Sequence, residues 1–159
     1  MIPQTGLVRA QQIRCSIIPV ERRSLNGSSL KDFLQNVILV VEDDLLIQKL
    51  LSRMIKRTGF TGEVIVFSES EPVLRYLEDH GDQVVLALLD TMIHPEGDRA
   101  FAYALLERAP HIRLVASSGH SEADLRGPEH FGDTPLAGVL SKPFGLSDIK
   151  SLFARLSLE

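Results

Sequence analysis

A chain of 159 residues, 44% apolar and 24% charged, has room for one domain with a buried core. No apolar run approaches the roughly 20 residues that span a bilayer, no apolar stretch opens the chain as a secretory signal would, and one cysteine, Cys15, excludes an internal disulfide. Residues 1–31 carry a net charge of +4 and residues 32–159 a net −8, so the acidic body is unsuited to nucleic acid, whose phosphates it would repel.

Residues 1–35 show no sustained period and are expected to form a partly flexible N-terminal extension ahead of a domain over 36–159. Ser16–Val20 has strand-like residues, but Pro19 demotes it. Asn26-Gly27-Ser28-Ser29 reads as a joint, with Ser28 or Ser29 able to cap a short turn. From Asn36 the pattern changes. Five short apolar runs follow, Val37–Val41, Val64–Phe67, Val84–Leu89, Ile112–Ala116 and Ala137–Leu140, mostly continuous rather than alternating, as strands covered on both faces should be. Helical spacing separates them. Ile47, Leu50, Leu51, Met54 and Ile55 form one stripe, ended by Thr58-Gly59; Val73, Leu74 and Leu77 mark a second helix, and Phe101, Ala104 and Leu105 a third. Between Ser121 and Pro135, Gly127-Pro128 and Gly132 interrupt the pattern, so a fourth helix should be short or irregular. Ile149, Leu152, Phe153 and Leu156 mark the last, opened by Ser147 or Gly145. Strand alternating with helix predicts an α/β fold, a doubly wound parallel sheet with helices on both faces.

Polar residues close these apolar runs at particular places. The first strand ends in Glu42-Asp43-Asp44, the third in Asp90, the fourth in Ser117-Ser118-Gly119 and the fifth in Ser141-Lys142-Pro143. Ligands of doubly wound sheets bind beyond the carboxyl ends of the strands, where the strand order reverses. With the order 2-1-3-4-5, Glu42, Asp43 and Asp90 should meet there, beside Ser118 and Lys142. Three close carboxylates repel one another unless a cation intervenes, and Mg²⁺ (or Mn²⁺) is the hard ion that oxygen ligands suit. Lys142 adds a compact positive charge, Ser118 a hydroxyl, and Asp90 a carboxylate nucleophile. An acidic residue after a strand also commonly caps the next helix, and that is the reading preferred for Asp44.

This set resembles the receiver domain of two-component response regulators. Val37 to Asp44 is similar to that family's first strand and acidic pair, and Leu88-Leu89-Asp90 to the strand bearing its phosphorylated aspartate. Ser118-Gly119 and Lys142-Pro143-Phe144 are similar to its hydroxyl residue and its lysine-proline signature. The resemblance implies a flavodoxin-like, CheY-like five-stranded fold, a phosphoacceptor at Asp90, and metal ligands from Glu42, Asp43, Asp90 and the backbone carbonyl of Met92. It implies a cis bond between Lys142 and Pro143 and a phosphohistidine donor on a histidine kinase or histidine phosphotransfer protein. A downstream protein partner is implied and a homodimer allowed, with no nucleic acid and no membrane, in the cytoplasm. Such a chain is a switch, not an enzyme that turns over an external substrate. The alternative is a receiver-like docking module that is never phosphorylated. An aspartate-nucleophile phosphatase would need a second aspartate at position 92, which is Met.

The chain also departs from the family. Val139 stands where an aromatic switch residue is usual, and Pro95 lies one place late in the loop after Asp90. His94 is expected at the rim of the site and His120 near the approach of an attacking water. No further domain is expected after the fifth helix, so output is expected through protein contacts, through the N-terminal extension or through dimerisation.

Overall fold

In the computed structural model, residues 36–158 are described. The expected extension, the strand at Ser16–Val20, the cap at Ser28 or Ser29 and Cys15 lie outside them. Five strands, β1 (Val37–Val41), β2 (Glu63–Phe67), β3 (Val84–Asp90), β4 (Arg113–Ser118) and β5 (Leu136–Ser141), alternate with five helices. The helices are α1 (Leu45–Arg57), α2 (Ser70–His80), α3 (Asp98–Arg108), α4 (Glu122–Leu125) and α5 (Leu146–Leu156). All strand pairs are parallel and the order is β2-β1-β3-β4-β5, so the strand order reverses between β1 and β3.

Side chains alternate across a strand, and two cores result. Val37, Leu39, Val41, Ala87, Leu89, Leu114 and Ala116 face α2 and α3, packing on Val73, Leu77, Phe101 and Leu105. Ile38, Val40, Leu86, Leu88, Val115 and Leu140 face α1 and α5, packing on Leu51, Ile55, Ile149, Leu152 and Phe153. The central strands are therefore apolar on both faces, which is why their sequences read as continuous runs. At β5 the helix comes very close: a Cβ on Gly138 would stand 2.8 Å from Leu152 Cδ1.

Local signals set the helix ends. Asp44 accepts from the Leu46 and Ile47 amides at 2.7 and 3.1 Å and caps α1, as expected. Gly59 has φ 100 beyond the α1 C-terminus. Gly145 precedes α5, its amide donating to Asp148 Oδ2 at 2.7 Å. The α1 stripe needs a correction, because Leu50 is 41% exposed. A helix turns about 100° per residue, which swings Leu50 well away from the line of Leu51 and Ile55. Four-residue α4 is as short as expected, held by a capping box in which Asp124 N donates to Ser121 Oγ at 3.1 Å and Ser121 N to Asp124 Oδ2 at 3.3 Å. The irregular stretch after it is nonetheless packed: Leu125, Phe131 and Thr134 are buried.

Phe153 is fully buried and meets the Phe60 ring edge-on at 6.2 Å. Phe153→Ala should cost about 3–5 kcal/mol by leaving a cavity under the sheet. A denaturant midpoint unchanged from wild type would contradict this packing.

Candidate functional site

The carboxyl ends of β1, β3 and β5 deliver their polar residues to one spot. Glu42, Asp43 and Asp90 each present a carboxylate oxygen, all within 4.8 Å of one another. Lys142 Nζ lies between two of them, donating to Glu42 Oε2 and to Asp90 Oδ1 at 2.9 Å each. The Lys142-Pro143 bond is cis, as expected. Glu42 is buried and Asp43 exposed, so the cluster has a dry side and a wet side. The Thr91 amide also donates to Asp90 Oδ1 at 2.9 Å, so both bonds fall on one oxygen and leave Oδ2 outside the pair.

Burial acts first on Glu42 and raises its pKa; the Asp90 charge adds to this, while Lys142 and the Asp44 amide pull the other way. Burial likewise works against the charge on Lys142, but the hydrogen bonds and fields of Asp90 and Glu42 together outweigh it and lift its pKa above the ordinary lysine value. The three-carboxylate donor set is all oxygen, spans a few ångströms and opens to water through Asp43. Those features fit a hard divalent ion that keeps part of its hydration.

Ser118 is buried next to this cluster, but its hydroxyl meets Thr91 Oγ1 at 2.9 Å and His120 Nδ1 at 3.1 Å. In the sheet, Asp90 pairs in register with Ser117, which offsets Ser118 by one residue. Met92 is 73% exposed and has φ 65, its amide donating to Asp98 Oδ1 at 2.9 Å. Val139 pairs with Ala116 and packs, partly buried, on the α2–α3 core. His94 is not at the rim. It is only 6% exposed, its ring lies 4.1 Å from Phe101, and its Nε2 is 2.9 Å from the Asp90 carbonyl oxygen. An imidazole is flat and largely apolar, so stacking on a core phenylalanine outweighed its polarity. Asp98 and His130 were missed by sequence reasoning. They form a buried pair, Nδ1 to Oδ2 at 2.8 Å, for which neither periodicity nor motif gave a signal.

No protein-family model matches the chain, and no curated protein does. Many solved structures do match, and many of these are response regulator receiver domains. One is a response regulator receiver domain from Clostridium thermocellum, 20% identical over 75% of this chain and 91% of that one, with a TM-score of 0.61. Another is the receiver domain of a sensor histidine kinase from Pseudomonas aeruginosa, with a magnesium ion coordinated in its active-site cleft; it is 18% identical over 77% of this chain and 98% of that one, TM-score 0.61. A third, the Vibrio cholerae chemotaxis protein CheY4, is 15% identical over 76% and 98%, TM-score 0.64. The chain has the flavodoxin-like fold of these domains.

Burial depresses the His94 pKa, against the opposing pull of Asp98 and the Asp90 carbonyl. The unfolded chain protonates this residue near about pH 6.5 and the folded chain only below that. Its contribution to stability is therefore complete above that pH and is lost as pH falls towards the folded value. His94→Phe should reduce the loss of stability between about pH 7.5 and 5.5, measured by urea midpoints. An identical pH dependence in the variant would refute it.

Proposed function

We propose that this domain is a phosphoacceptor switch in phosphorelay signalling, with Asp90 as the acceptor. The observation that carries the reading is the position of Lys142 Nζ, 2.9 Å from carboxylates that belong to the ends of two other strands. A lone surface lysine has no reason to hold Glu42 and Asp90 together, whereas a site handling a phosphoryl group needs that charge. The receiver fold supports the same reading.

In this scheme Asp90 Oδ2 attacks the phosphorus of a phosphohistidine on a histidine kinase or histidine phosphotransfer protein. The bond from phosphorus to the imidazole nitrogen breaks, its electron pair stays with the nitrogen, and Asp90 becomes an acyl phosphate. Lys142 already neutralises Oδ1 and is in reach of an incoming phosphoryl oxygen. Ser118, one residue past the register of Asp90, would exchange its Thr91 or His120 contact for the phosphoryl group. Glu42, Asp43, Asp90 and the Met92 carbonyl are the groups that would hold Mg²⁺ or Mn²⁺. When bound, that ion supplies the charge neutralisation on which phosphoryl transfer chiefly depends. The product is a switched protein surface that changes contacts with a downstream protein, in the cytoplasm. No external substrate is turned over.

Acetyl phosphate with Mg²⁺ should add one phosphoryl mass to the intact chain. Asp90→Ala and chelation of the metal should each abolish the addition. Lys142→Ala should slow it about tenfold or more, because a hydrogen bond to a charged group contributes roughly 1.5–3 kcal/mol. No added mass on the wild type would favour a docking module that works unphosphorylated. The lifetime of the phosphoryl group is a separate measurement. Met92 cannot hydrogen-bond a water and His120 lies beside Ser118, so replacing both with carboxamide residues should alter the decay, with Met92→Asn speeding it. An unchanged decay would remove these two residues from control of hydrolysis.

A further inference from the structure

Asp98 opens α3 and is only 3% exposed, yet its two carboxylate oxygens serve different parts of the chain. Oδ1 accepts from the Met92 amide at 2.9 Å and Oδ2 from His130 Nδ1 at 2.8 Å. A carboxylate can only accept, so the imidazole donates through Nδ1. Met92 is a non-glycine residue with φ 65, a conformation that persists where its surroundings hold it. Asp98 is one of the groups holding it.

The same imidazole reaches the other side of the site. The His130 ring lies 4.7 Å from the His120 ring, and His120 Nδ1 is 3.1 Å from Ser118 Oγ. Ser118 Oγ in turn is 2.9 Å from Thr91 Oγ1, directly after Asp90. The contacts form a closed circuit, from Thr91 through Ser118, His120, His130 and Asp98 back to Met92. Both loops beside Asp90 are tied to one buried side chain of the segment after α4. That segment is held by turns rather than by a ladder: the amides of His130 and Gly132 both donate to the Gly127 carbonyl, Phe131 to that of Leu125 and Thr134 to that of Phe131. Turns without a strand partner are where a change at one contact is accommodated locally.

We propose that Asp98 and His130 are a positioning pair through which the state of Asp90 is passed to residues 127–134. The inference deepens the phosphoacceptor reading and rests on it. Phosphorylation replaces the single carboxylate charge of Asp90 with an acyl phosphate of up to about two negative charges, and brings three acceptor oxygens to the loops that carry Thr91 and Ser118. If Ser118 Oγ turns towards them, it gives up Thr91 or His120, and the His120 ring is left to move against His130. Val139 has no ring whose rotation would transmit the change along β5. The pair is a polar connection, among the described residues, from these loops to residues 127–134.

The test uses the full chain, treated with acetyl phosphate and Mg²⁺, with intact mass reporting phosphorylation and backbone hydrogen exchange reporting residues 127–134. The wild type should show a change in exchange there on phosphorylation. His130→Phe keeps a ring beside His120 but removes Nδ1; it should accept the phosphoryl group and lose the exchange response. His130→Asn keeps a donor near Nδ1 and should restore the response. Asp98→Asn combined with His130→Phe avoids stranding a buried charge, so the comparison holds even if the single variant does not fold. A phosphorylated His130→Phe, or double variant, with the wild-type response overturns the proposal. So does His130→Asn losing the response as fully as His130→Phe. Phosphorylation of the wild type without any response overturns it while leaving Asp90 as the acceptor, whereas absence of the added mass overturns the acceptor reading itself.

Discussion

Gathering like charges costs free energy, and the region beyond the carboxyl ends of the strands is organised around that cost. Glu42, Asp43 and Asp90 approach one another as carboxylates would not do unaided. The Lys142 ammonium sits against two of them, and the burial that raises the Glu42 pKa also makes each ion pair stronger than it would be in water. The parallel sheet makes the arrangement attainable. Its strand order brings β1 and β3 side by side, so their final residues are neighbours without any long loop between them. The apolar strands fix the backbone, and the polar residues that follow them have little freedom to separate.

The fold was legible because central strands buried on both faces must be apolar throughout. Val37–Val41 and Val84–Leu89 announced themselves for that reason, and β1 has the expected bounds. The cluster of Glu42, Asp43, Asp90 and Lys142 was legible too, since each lies within two residues of the end of an apolar run. What was not legible depends on which way a side chain turns. Leu50 fits a helical stripe by spacing but lies off the buried line. His94 has the composition of a loop residue, yet it stacks on Phe101. Asp98 and His130 are joined across residues that no repeat or motif links, since the segment between them contains a whole strand and a four-residue helix. Contacts of that kind arise from packing, and a one-dimensional pattern does not carry them.

The hydroxyl of Ser118 marks a difference between being near a site and being engaged in it. It is buried one position past the register of Asp90 and bonded to Thr91 and His120. A buried hydroxyl is generally partnered, and here the partners lie on the two loops that flank Asp90. Its two contacts make it a latch between them, closed in this structure and available to a stronger acceptor.

Gly138 fixes how α5 lies on the far edge of the sheet. A Cβ there would stand 2.8 Å from Leu152 Cδ1, so the leucine side chain fills the space a larger residue would need. Leu152 is thus the spacer between strand and helix, and a bulkier residue at 138 would have to turn it aside, four residues before the lysine that spans Glu42 and Asp90.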